Sequence, residues 1–246
     1  MPSITTPTLQ ACRQCGGGAP LDAHFCPQCS KILPLGRRGD YFTFLGVPRK
    51  LNLDAPDLEQ RFRSLSRQFH PDYFYNSSPA ERRASLERSS YLNDAYRTLR
   101  DPIRRLEYLL QVEGMAPGAG DGSPAGGRRD LSRSSPEREG LSRAVPPALL
   151  EEVFALNEEL DEIRSMRASG APAEQWRARL ERARAPIEAK RADHERQLQA
   201  LAARWDAAAA VSADERQDIL RTLRERFLER NYISNLLAGI ERELAQ

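Results

Sequence analysis

Two groups of residues in this 246-residue chain have the types and spacing to do chemistry. The first is a pair of knuckles, Cys12-x-x-Cys15 and Cys26-x-x-Cys29, separated by ten residues. Four thiolates so arranged suit a closed tetrahedral zinc site, in which protein fills every coordination position and the metal is structural. Gly16, Gly17 and Gly18 permit the tight backbone turns that follow the first knuckle. A redox dithiol pair is the alternative, but a reactive Cys-x-x-Cys normally opens a helix in a larger domain. His24 is adjacent, yet four cysteines suffice, so it is expected to stand aside from the metal. A module of about thirty residues cannot fold on its own apolar content, so zinc must supply the stability. The second group is His70-Pro71-Asp72. Pro71 fixes its own φ and discourages helix at His70, so a preceding helix should end there. Asp72 then projects from a tip, and a charge on an exposed, rigid tip is a recognition element.

The elements that must position this tripeptide are helices. Leu58, Phe62, Leu65 and Phe69 recur at spacings 4, 3 and 4. Asp54 and Asp57 stand where an N-cap and an N3 carboxylate would. Ser78-Pro79-Ala80-Glu81 starts a second helix, with Ser as cap, Pro at N1 and Glu at N3. That helix should run to about Arg100, with Tyr91, Leu92, Ala95 and Leu99 inward. Asp101-Pro102 starts a third, carrying Ile103, Leu106, Leu109 and Leu110. With a short helix at Tyr41–Leu45, the pattern predicts two long antiparallel helices joined by a loop at 70–77.

Four regions follow along the chain: a cysteine module (11–36), a helical region (40–113), a linker (114–146) and a second helical region (147–246). The linker holds seven glycines and four prolines and cannot bury enough apolar surface to offset its ordering entropy, which predicts flexibility. The fold class is all-α, with a helical hairpin, an antiparallel three-helix bundle and a small N-terminal zinc module. In the last region Leu149, Val153, Leu156, Leu160 and Ile163 form a core stripe. Leu150 and Phe154 fall off it, in a row with Glu158 and Glu162 along one side. From the residues alone, Leu150 and Phe154 read as the edge of a wide core stripe. Trp176, Leu180, Ala183 and Ile187 open the next helix, in which Pro186 should produce a kink or a reset. Ser212 and Glu215 start the last, with Ile219, Leu223, Phe227, Ile233, Leu236 and Ile240 inward.

Composition excludes several classes. A net charge of +2 gives no bulk reason to expect nucleic acid, and residues 11–36 hold few basic or aromatic side chains. No apolar run is long enough to span a bilayer. Met1–Ala11 has no basic residue and no apolar core, so it reads as neither signal nor transit peptide. Cysteines used as metal ligands favour a reducing compartment, a bacterial-type cytoplasm first and mitochondria second. No nucleophile–base constellation or phosphate-binding glycine loop is evident, and the histidines at 24, 70 and 194 are scattered, so no enzyme is expected.

Helix, His-Pro-Asp loop, helix resembles the J-domain of DnaJ-type co-chaperones. Asp40-Tyr41-Phe42-Thr43-Phe44-Leu45-Gly46-Val47-Pro48, Gln68-Phe69-His70-Pro71-Asp72, Leu92-Asn93-Asp94-Ala95-Tyr96-Arg97-Thr98-Leu99 and Glu107-Tyr108-Leu109-Leu110 resemble the HscB family of iron–sulfur cluster assembly. The cysteine module resembles the short zinc ribbons appended to many bacterial proteins, with Ser30 in place of the usual glycine after the second knuckle. The HscB resemblance implies docking on an HscA/DnaK-type ATPase whose hydrolysis the loop stimulates. Asp72 would pair with a chaperone arginine, His70 would hold that contact and Pro71 would set the loop shape. Arg61, Arg63 and Arg67 would steer docking, although a merely solvated helix face reads almost as well. It also implies a grip on an IscU-like iron–sulfur scaffold through Leu150, Phe154, Glu158, Glu162 and Tyr232. Glu151 stands where the family usually has an apolar residue, and Ala155 where it usually has Glu. A J-domain co-chaperone holding a different client is the alternative.

Overall fold

The computed structural model describes residues 9–36, 40–116, 149–208 and 212–245. All but the first three residues of the expected linker lie outside them. The chain divides into two compact units, Met1–Val112 and Glu113–Gln246.

The first unit begins with a two-stranded antiparallel ribbon, β1 (Leu9–Ala11) and β2 (Gly18–Pro20). Four helices follow: α1 (Tyr41–Leu45), α2 (Ala55–Phe69), α3 (Pro79–Arg100) and α4 (Pro102–Val112). Their starts are set by side chains that satisfy otherwise unpaired first-turn N–H groups. Asp40 accepts from Thr43 N, and Asp54 from Asp57 N. Ser78 and Glu81 close a reciprocal capping box, with Pro79 at N1. Asp101 Oδ1 accepts from the N–H groups of Ile103 and Arg104. α1 ends on Gly46 at φ 65°, where a side chain would be strained.

Phe42, Leu45, Leu58, Phe69, Leu92, Ala95, Leu99, Leu109 and Leu110 fill the core between these helices. An aromatic seam ties α1 to α3 and α4: Tyr41 stacks on Tyr108 at 4.3 Å and meets Tyr91 edge-on at 4.9 Å. The Tyr108 hydroxyl accepts from Tyr41 N at 2.9 Å. Half-buried among these rings, the Tyr91 and Tyr108 phenols are pushed by desolvation well above their ordinary range.

The second unit is a three-helix bundle of α5 (Leu150–Ala168), α6 (Ala173–Ala207) and α7 (Ala213–Leu244). Leu149, Val153, Leu156 and Ile163 bury the stripe of α5 against Trp176, Leu180 and Ile187 of α6 and Ile233, Leu237 and Ile240 of α7. Ser212 caps α7 by accepting from Glu215 N. At Pro186 the helix does not reset: α6 continues through it. Proline there removes one helical hydrogen bond, a cost of about 3 kcal/mol in an isolated helix. Burial of Leu180 and Ile187 on either side holds the helix in register against it.

Candidate functional site

Three places carry the residues singled out above. In the ribbon, the Sγ atoms of Cys12, Cys15, Cys26 and Cys29 all lie within 4.8 Å of one another. Cys12 and Cys29 are 3.8 Å apart, and Cys15 and Cys26 3.7 Å. A tetrahedron with Zn–S bonds of about 2.3 Å has edges of about 3.8 Å, so these two pairs already stand at zinc spacing. The two knuckles repeat one backbone design. Cys12 N donates to Gly17 O and Gly16 N to Cys12 O; Cys26 N donates to Lys31 O and Ser30 N to Cys26 O, all at 2.8–2.9 Å. Gly16 has φ 72° and Ser30, its counterpart, φ 56°. The residue that replaces glycine thus takes the same left-handed turn at a steric cost.

Electrostatics favour a cation at this point. The backbone N–H of Cys15, then that of Gln14, lowers the Cys12 thiol, and those of Cys29 and Gln28 bring Cys26 down to about 7. The N–H of Lys31 pulls Cys29 down, but burial and the three neighbouring sulfurs push it up to about 12. Four thiolates this close repel one another unless a positive ion sits among them. His24 is not among the clustered ligands. Its Nδ1 accepts from Arg88 Nη1 at 2.7 Å, since a guanidinium has only donors. Burial, then the charge of Arg88, pushes its pKa down to about 4, so the ring is neutral.

The second place is the turn after α2. His70 ends that helix in extended conformation (φ −59°, ψ 127°), as the following proline requires. A short 3-10 helix, Pro71–Phe74, then replaces the irregular loop expected there. His70 caps it: Nδ1 accepts from Asp72 N at 3.3 Å, and its carbonyl from Tyr73 N at 3.0 Å. The same Nδ1 lies 3.4 Å from Asp72 Oδ2, and the Asp72 side chain is 86% exposed. Histidine and proline therefore shape a turn that presents a carboxylate to solvent. Tyr73 and Tyr75 stand exposed beside it.

The arginines of α2 are not equivalent. Arg61 donates to Gly46 O at 2.7 Å and to Asp57 at 2.9 Å, fastening α2 to the end of α1. Arg63 pairs with Glu59. The Arg67 side chain is exposed and has no ion-pair partner among the described residues.

The third place is the outer side of α5. Phe154 is 70% exposed and Leu150 39%, so neither belongs to the core stripe. Phe154, Asn157, Glu158, Asp161, Glu162, Ser165, Met166 and Arg179 line an open groove of about 750 Å³. Glu158 is exposed, whereas Glu162 is ion-paired with Arg179, which also binds Glu159 at 2.5 Å. Tyr232 is half-buried against the bundle core. Glu151 and Ala155 are both exposed on the same helix.

Sequence reasoning missed Arg88, which is 2% exposed and whose hydrogen bonds run into the ribbon. The signal was present: Glu81, Ser85 and Arg88 continue the α3 stripe of Leu92, Ala95 and Leu99, so polar residues occupy inward positions.

Residues 40–108 match the DnaJ domain family model. The crystal structure of the human co-chaperone protein HscB is similar at TM-score 0.59 and 26% identity, covering 95% of this chain and 98% of that one. The chaperone HscB from Vibrio cholerae is similar at TM-score 0.50 and 25% identity, over 83% of this chain and 96% of that one. Among the described residues no helix is long and apolar enough to cross a membrane.

Proposed function

We propose that this chain, an HscB-type J-domain protein, is a co-chaperone that presents an iron–sulfur scaffold of the IscU type to an HscA/DnaK-type chaperone and stimulates the chaperone's ATPase. The observation that carries the reading is the exposed Asp72 carboxylate on a turn closed by His70 and Pro71. On this reading Asp72 pairs with a chaperone arginine through charge-assisted hydrogen bonds of defined geometry. His70 contributes by capping the turn, so the carboxylate is placed before docking and little ordering entropy is lost. Arg67 forms the basic flank of the contact, since Arg61 and Arg63 are matched by carboxylates of their own helix. The protein acts as a regulator: binding favours the hydrolysing state of its partner, and catalysis stays with the partner.

Leu150 and Phe154 form the apolar centre of the scaffold grip, with Glu158, Glu162 and Tyr232 around it. An exposed phenylalanine beside a groove supports this assignment. Glu162 meets a partner while already paired with Arg179, which leaves it less charge to offer than Glu158. The four cysteines hold one structural zinc ion, which closes the ribbon and takes no part in exchange of substrate. Thiolate ligation is consistent with a reducing compartment, the cytoplasm.

Steady-state ATPase of the HscA-type chaperone with scaffold, comparing wild type and His70→Gln, tests the reading. Stimulation should fall by about tenfold or more in the variant, the scale of losing one oriented charged contact. Equal stimulation by both proteins would refute it. Recovery of the scaffold on immobilised wild-type protein tests the client, and recovery of a different client in its place would reassign the bundle.

A further inference from the structure

Phe69 is the last residue of α2 and immediately precedes the His-Pro-Asp turn. It is fully buried. Its carbonyl accepts two hydroxyls from α3, Ser85 Oγ at 2.6 Å and Ser89 Oγ at 2.9 Å. Its ring has walls from two modules. Phe44 of α1 supplies one, at 6.0 Å. The ribbon supplies two more: His24 edge-on at 5.0 Å and Phe25 stacked at 6.0 Å. The guanidinium of Arg88 lies 5.6 Å from the ring centre.

Arg88 binds the two modules together. From α3 it donates to Leu33 O at 2.8 Å, Pro34 O at 3.2 Å, Ala23 O at 3.3 Å and His24 Nδ1 at 2.7 Å. Among the described residues, every hydrogen-bond acceptor of this buried cation comes from the ribbon. Burial lowers its pKa to about 10, which leaves it charged at neutral pH. A buried charge is tolerable only while its hydrogen bonds are made, so the joint forms only if the ribbon holds these acceptors in place.

The ribbon holds them through its second knuckle. Leu33 N donates to His24 O at 3.0 Å, Phe25 pairs with Ile32, and Cys26 N donates to Lys31 O. Those segments are clamped at Cys26 and Cys29. The ribbon's own core is little more than Cys12, Ala19, Cys26 and Leu33, too small to fix this geometry without a metal. Lys31 adds an exposed-side tie to Glu81 at 3.0 Å, next to the cap of α3.

We propose that the metal-loaded ribbon is a positioning device for the His-Pro-Asp turn, with Arg88 as the residue that couples them. The ribbon closes the pocket of Phe69, Phe69 anchors the end of α2, and that end fixes where His70 caps the turn. Metal loading at the four cysteines thereby governs the readiness of a surface built entirely from other residues. The proposal rests on the co-chaperone reading only for its consequence, and its structural half can be measured without a chaperone.

The test uses the full chain as wild type, metal-depleted wild type, Arg88→Ala and Phe25→Ala. Phe25→Ala trims the ribbon's wall without stranding a charge or removing a ligand. Amide hydrogen exchange is read at Asp72, Tyr73 and Tyr75, whose N–H groups close the turn. Exchange at these positions should rise by about tenfold on metal removal and in Arg88→Ala, and less in Phe25→Ala, while the centres of α2 and α3 stay protected. In ATPase titrations, the concentration for half-maximal stimulation should rise with the exchange rate and maximal stimulation should hold. Unchanged exchange at the turn while the ribbon itself opens would overturn the proposal. So would loss of protection throughout residues 41–112, which would make the ribbon a general stabiliser. Faster turn exchange in a protein whose wild type never stimulates a chaperone would uphold the coupling and sink the co-chaperone reading instead.

Discussion

The two units build recognition surfaces by opposite means. In the first, a three-residue turn is fixed by specific bonds: a proline ring, a histidine cap, two serine hydroxyls on one carbonyl. In the second, the surface is what the core leaves uncovered, a row of Leu150 and Phe154 one step around the helix from a buried stripe. The first kind of site is sensitive to geometry, and so to whatever holds the end of α2 in place. The second is sensitive to the identity of the exposed side chains and indifferent to fine geometry. Loss of a single bond should disable the turn, whereas the α5 surface should weaken by degrees.

The largest break in this comparison comes from the metal. Cys26→Ser should unfold residues 11–36, because structural zinc contributes about 10–16 kcal/mol in small modules. Elemental analysis should find one zinc per wild-type chain and far less in the variant. Amide spectra should lose the ribbon's dispersion and keep that of α5–α7. A variant that retains zinc and ribbon signals would show that three thiolates suffice.

Within the second unit, core and surface should separate cleanly. Leu180→Ala removes a fully buried side chain and should destabilise the bundle by about 2–5 kcal/mol in denaturant melts. Phe154→Ala should leave stability within about 0.5 kcal/mol and weaken scaffold binding by about tenfold or more in calorimetry. If Phe154→Ala melted like Leu180→Ala, Phe154 would be core and the surface assignment would fail.

The smallest effect lies in the second knuckle. Ser30→Gly should stabilise the ribbon by roughly 1 kcal/mol by relieving a left-handed serine. Slower metal transfer to a chelator in the glycine variant would register the gain, and an unchanged rate would mean that strain there is negligible.

Much of this architecture was legible beforehand, for local reasons. Asp54, Ser78 with Glu81, and Asp101 announced helix starts because caps act within one turn. Cysteine spacing announced a four-sulfur cluster because the geometry of each knuckle is local. Pro71 announced the end of α2. What escaped was non-local. Arg88 meets Leu33 across 55 positions, and no periodicity in α3 names a partner that distant. His24 lies outside the four-sulfur cluster, and its engagement of Arg88 and Phe69 depends on the packing of two modules. The exposure of Phe154 was likewise beyond periodicity, since a wide stripe and a narrow one differ only in what packs against them. Pro186 misled in the other direction: its local rule was outweighed by the bundle around it.

Along α2, Arg61 answers to Asp57 and Arg63 to Glu59, one turn away in each case. Seen by a partner approaching from beyond the Debye length, about 8 Å at physiological ionic strength, the helix is a nearly neutral rod with Arg67 as its one unmatched guanidinium among the described residues. Electrostatic acceleration of encounter scales with the net charge that a surface projects. Association through this face should therefore proceed at rates ordinary for neutral surfaces, with little change on added salt. The complex would owe its persistence to slow departure rather than rapid arrival.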